Sequence, residues 1–138
     1  MIDMPIAAGL VIAIVVLGLG LLFLLSRRPQ TGLNHQWYDE QWRGIEGTFR
    51  DGKSGQVLAV ISADKLLDKA MQQKGFGGQT MGERLKKHPT AFADVNAIWR
   101  AHKLRNRIAH DQIQVYEAEC RTALNTLRQG LRDLGALL

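Results

Sequence analysis

Twenty consecutive positions, Ile6 to Leu25, are apolar or glycine, and nothing later in the chain repeats so long an uncharged run. That length matches the ~20 residues a helix needs to cross ~30 Å of hydrocarbon, and it predicts a membrane span. Downstream the apolar positions recur with helical period. Tyr38, Trp42, Ile45 and Phe49, spaced by four, three and four, predict a first helix that Asn34 caps and Asp51-Gly52 ends. A second, roughly residues 55–74 with Ser54 as its cap, carries Val57, Val60, Ile61, Leu67 and Met71. Leu66 and Ala70 broaden its stripe, and Gly75 supplies the stop.

The glycine-rich GFGGQT segment predicts a turn, after which Thr80 and Glu83 have capping-box spacing for a short helix through Lys87 that Pro89 breaks. A fourth helix begins near Asp94, carries Val95, Ile98 and Trp99, and runs into AHKLRNRIAHD, residues 101–111. The fifth is expected from about Gln112 to Leu134, with Tyr116, Cys120, Ala123, Leu127, Leu131 and Leu134 on its stripe. No segment alternates with period two over a strand's length. The expected fold class is therefore all-α, one N-terminal transmembrane helix plus a four- to five-helix bundle. Residues 1–28 form the anchor, 29–33 (PQTGL) the linker and 34–138 the bundle.

Charge sets the expected topology. Asp3 precedes a long apolar core where a signal peptide would show a basic start and a shorter one. Ser26-Arg27-Arg28 follows the span, and the positive-inside rule then places the N-terminus outside and the bundle in the cytoplasm, on the inner membrane. All 18 Lys and Arg follow the span, so what lies beyond it is more basic than the whole chain's +5 and suits an anionic partner, lipid or nucleic acid. Cys120 is the sole cysteine, which excludes an intrachain disulfide and a cysteine-based zinc site.

Several motifs carry candidate chemistry. GTFRDGKS, residues 47–54, has the letters of a phosphate loop. That mechanism needs a strand before the loop, and the helical pattern there reads instead as a helix–turn–helix connection. Asp64 falls on or beside the apolar stripe of the second helix and needs a cationic or hydrogen-bonding partner, for which Arg105, Arg107 and Lys103 are the candidates. His102, Asn106 and His110, spaced by four, form a polar line with Arg105 beside it. The two histidines are eight apart, twice the usual zinc spacing, and no metal or cofactor is expected. Arg100, Lys103 and Arg107 are candidate phosphate contacts on RNA, or a solvated cationic face.

RNRIAH, Arg105 to His110, resembles the signature of the HEPN superfamily (higher eukaryotes and prokaryotes nucleotide-binding), in which an Arg, often followed by Asn, Asp or His, precedes a His by four to six residues on a late helix of a helical bundle. The likeness in layout covers residues 34–138. It implies a metal-independent endoribonuclease or RNA-binding module working as a homodimer. His110 would then be the base for the ribose 2′-hydroxyl and its dimer mate the acid for the leaving oxygen. Arg105 would stabilise the phosphorane and Asn106 orient the His or the phosphate. Asp64 and His102 are possible supporting residues. The different expectation is a non-catalytic, membrane-anchored adaptor for an unidentified protein partner, its Arg-Asn-x-x-x-His motif holding the bundle together.

Overall fold

A computed structural model describes residues 4–26, 32–110 and 114–138, with only the backbone of residues 4–6 and of 25–26. Asp3, the Arg27-Arg28 pair, linker positions 29–31, Asp111 and the expected fifth-helix start at Gln112 lie outside the described residues. Every described element is helical: α1 (Met4–Ser26), α2 (His35–Phe49), α3 (Gly52–Gln73), α4 (Met81–Lys87), a 3-10 turn at Pro89–Ala91, α5 (Val95–His110) and α6 (Glu117–Asp133). The chain is thus all-α, four long helices and a short one following an apolar N-terminal helix.

Between Ala7 and Leu24, α1 has a mean hydropathy of 2.9, and none of that window is buried within the protein. At 23 residues the helix is about 34 Å long, long and apolar enough to cross a membrane.

Caps fix the ends of the bundle helices. Asn34 Oδ1 accepts the Trp37 N–H at 3.1 Å, and Thr80 Oγ1 accepts that of Glu83 at 3.2 Å. Asp94 Oδ1 does the same for Ala97 at 2.9 Å. After α3, Gly75 takes φ +80° and lets the Phe76 N–H reach back to the Met71 carbonyl. The α2–α3 turn departs from expectation. Gly52 at φ +81° redirects the chain early enough that α3 starts there, and Ser54 lies inside the first turn rather than capping it. Gly55 has to lack a side chain, since a Cβ there would overlap the Thr48 carbonyl oxygen.

α3 is the central helix, packed against α2, α5 and α6, and contact on several sides explains its broad buried set from Ala59 to Met71. α2 buries the four predicted residues, Tyr38, Trp42, Ile45 and Phe49. α6 buries Cys120, Ala123, Leu124, Leu127 and Leu131, and at Gly130 it packs tightly against α3 and α5. A Cβ at Gly130 would lie 2.8 Å from Ile98 Cδ1 and 3.1 Å from Leu67 Cδ2. Tyr116 is not on that stripe. It is 62 % exposed and precedes the helix, its N–H bonded to Glu119 Oε2 at 3.0 Å.

Tyr38 is wholly buried and donates its hydroxyl to Gln73 Oε1 at 2.7 Å. Burial pushes its pKa up to about 12. The folded chain keeps this proton after the unfolded chain has released it, so the stabilisation is complete below pH ~10 and is lost as the pH rises towards 12. Melting temperatures across that interval are expected to fall more steeply for the native sequence than for Tyr38→Phe; parallel curves would remove Tyr38 as the cause.

Candidate functional site

α5 is the helix on which the candidate residues meet. Ile98 and Ala101 turn into the core, which leaves Arg100, Lys103 and Arg107 exposed and places Trp99, His102, Arg105 and Asn106 at the half-buried margin. On α3, Asp64 is 3 % exposed and faces that margin.

Four side chains close a ring there. His102 Nδ1 lies 2.9 Å from Asp64 Oδ1 and 3.2 Å from Oδ2. Asn106 Nδ2 lies 3.4 Å from His102 Nε2, and Arg105 NH1 donates to Asn106 Oδ1 at 3.0 Å. Arg105 Nε returns to Asp64 Oδ2 at 3.6 Å, an ion pair too long for a hydrogen bond. A carboxylate only accepts, so the His102 proton is assigned to Nδ1, and Nε2 is left to accept from the Asn106 amide. One donor of each then meets an acceptor in sequence, Arg105 to Asn106 to His102 to Asp64. Arg105 Nε is inaccessible to solvent and has no hydrogen bond.

Asp64 does have a cationic partner, and of the three named candidates it is Arg105. The nearer partner, His102, was not among them. Side-chain exposures of 5 % for Asp64, 12 % for His102 and 24 % for Arg105 leave little water to compete. One turn along α3, Asp68 holds the buried Arg84 of α4 through two hydrogen bonds, of 2.7 and 3.0 Å. Arg84 NH1 also donates to the Gly78 carbonyl at 2.6 Å. This second carboxylate–cation contact ties α4 and the glycine-rich turn to α3; sequence reasoning missed it, although Asp64 and Asp68 share one face of α3 at a spacing of four.

His110 stands apart. It is the last residue of α5, exposed, and among the described residues it has no hydrogen-bond or ion-pair partner. An ideal helix places it about 140° around and about 7.5 Å along from Arg105, so one chain does not aim both groups at the same point. Arg100, Lys103 and Arg107, spaced by three and four, rim a groove of about 610 Å³ between α5 and α6 with an apolar floor at Ala97, Ala101, Leu104 and Ala123.

GTFRDGKS runs from the last turn of α2 into the first turn of α3 without a strand. Among the described residues no three His, Cys, Asp or Glu side chains converge to hold a metal ion. Comparison with protein-family models, curated proteins and solved structures finds no match to this chain.

Proposed function

We propose that this chain is a single-pass protein of the inner membrane, N-terminus out, whose cytoplasmic bundle is HEPN-like and acts on RNA as a homodimer. The observation that carries the reading is the arrangement on α5. Arg105 and Asn106 are held by Asp64 and His102, while His110, five residues beyond Arg105, is exposed and without a partner among the described residues.

Cleavage without a metal needs a base, an acid and a cation. His110 takes the 2′-hydroxyl proton, and the 2′-oxygen attacks the phosphorus. The second copy's equivalent histidine protonates the departing 5′-oxygen, and the products are a 2′,3′-cyclic phosphate and a 5′-hydroxyl. Arg105 stabilises the phosphorane charge. Both copies are required because His110 and Arg105 of one chain diverge. The test is full-length protein in detergent with labelled single-stranded RNA and excess chelator, beside His110→Ala. Cyclic-phosphate ends made by the native chain alone support the reading, and absence of cleavage from pH 6 to 9 removes it.

One observation favours a different reading, a membrane-anchored adaptor. Two nitrogens of Arg105 are engaged by Asn106 and Asp64 inside a single chain, as a structural network would have them. The predicted topology is tested apart from either. Cys120 is buried, and burial, followed by Glu119 and Glu117, raises its pKa, so it is a poor background target. In a Cys120→Ala chain, Gln129→Cys on the exposed side of α6 is expected to resist impermeant thiol reagents in intact cells and to react after permeabilisation. Reaction in intact cells would reverse the orientation.

A further inference from the structure

Trp99 follows Ile98 on the apolar pattern of α5 yet is only half-buried. One edge of its indole passes over Gly82 of α4, where a Cβ would lie 3.3 Å from Cη2, so α4 and α5 approach here because residue 82 has no side chain. His102 meets the ring edge-on at a centroid distance of 6.1 Å. The remaining indole surface lines two adjoining hollows, of about 710 and about 600 Å³. Lys86, Asn96 and Arg100 border the first, Thr80, Arg105 and Asn106 the second, and Lys103 both.

The electrostatics of this trough are one-sided. Asp64 is paired from within by the Arg105 cation and hydrogen-bonded by His102, and Asp68 is paired by Arg84. Lys65, Lys86 and Lys103 are exposed cations. Among the described residues Arg100 pairs with Asp94 alone, at 4.0 Å with both side chains more than 60 % exposed, a contact that solvent screens. An aromatic face between exposed cations, with an amide or hydroxyl at each end, suits an unstacked base and its phosphates. A base inside a duplex cannot present its face to Trp99, and side chains cannot read the narrow major groove of A-form RNA.

We propose that the α4–α5 trough is a single-stranded RNA subsite. One base stacks on Trp99, adjoining phosphates lie against Lys86, Arg100 and Lys103, and the strand continues to Arg105 and Asn106, about 9 Å further along the same helix. The subsite rests on the RNA reading above and adds to it the strandedness of the substrate and the residue that holds a base.

The test is fluorescence polarisation of a labelled oligouridylate with the full-length chain in detergent. Trp99→Ala is expected to weaken binding about 5- to 150-fold, the usual range for losing a base–aromatic stack. Trp99→Phe, which keeps a ring, is expected to stay within a few-fold of the native affinity. Lys86→Ala, on an exposed position, should reduce the salt dependence by about 0.7 in logarithmic slope. Native binding that persists unchanged in a folded Trp99→Ala chain overturns the subsite and leaves the RNA reading intact. No RNA binding by the native chain overturns both. If Trp99→Ala does not fold, Lys86→Ala decides, and an unchanged slope there overturns the subsite.

Discussion

Asp64→Ala is expected to melt about 10–20 °C below the native chain in detergent, on the order of 3 kcal/mol for a bundle of this size. The substitution leaves the Arg105 charge without its counter-ion and the His102 Nδ1–H without its acceptor, at side chains 24 % and 12 % exposed. Truncating one partner of a buried pair is costly because of what stays behind. The same reasoning predicts strong non-additivity. Asp64→Ala combined with Arg105→Ala should lose clearly less than the sum of the two single losses, since removing the arginine also removes the stranded charge. A melting temperature unchanged by Asp64→Ala would mean that the ring contributes nothing to the fold, and an additive double variant that the two residues are independent.

His110→Ala has the opposite profile. The side chain is exposed and lies at the end of α5, so melting should change by no more than about 0.5 kcal/mol. Cleavage should fall by about 10²–10⁴, the usual worth of a positioned proton-transfer group. Arg105→Ala, by contrast, is expected to lower stability and cleavage together, because its guanidinium joins the ring that orients Asn106. Measuring both variants by melting and by product ends separates a reactive motif from an architectural one. Cleavage retained in His110→Ala would end its assignment as the base and move the weight to the adaptor.

Much of the fold is written in local pattern. The spacing of Tyr38, Trp42, Ile45 and Phe49 marks the buried face of α2, and Asn34, Thr80 and Asp94 each cap the helix that follows them. Start points are harder where a stripe extends beyond its helix. Tyr116 continues the apolar period of α6 by one turn, yet the chain is not helical there; the available signal was the acidic pair Glu117 and Glu119, which belongs in a first turn. Ser54 misled because the turn before α3 is set by the positive φ of Gly52 and not by a capping hydroxyl.

The site divides along the same line. The position of Asp64 beside an apolar stripe revealed that it would need a partner. Which partner depends on the axial setting of α5 against α3, and no periodicity within either helix contains that. His102 therefore read as one end of a line with His110, whereas it turns away from it towards Asp64. Trp99 shares the helical period of Val95 and Ile98 and does pack against the core, but it stands at the edge of that stripe, where periodicity does not say how much of the indole stays exposed.

The four-membered ring also acts as a polar index mark between α3 and α5, since its Asp64 contacts have a fixed direction and length. A shift of α5 by one helical turn, about 5.4 Å, carries His102 and Arg105 away from Asp64 in the same displacement. It would also lift Ile98 off Gly130, where close packing leaves no room for a Cβ. Trp99 is on the same rigid rod, so its height over Gly82 is set three residues away, at His102. A chain with the ring erased would keep its helices and its hydrophobic interior while losing the polar mark that registers α5 against α3, and with it one constraint on where Trp99 sits over α4.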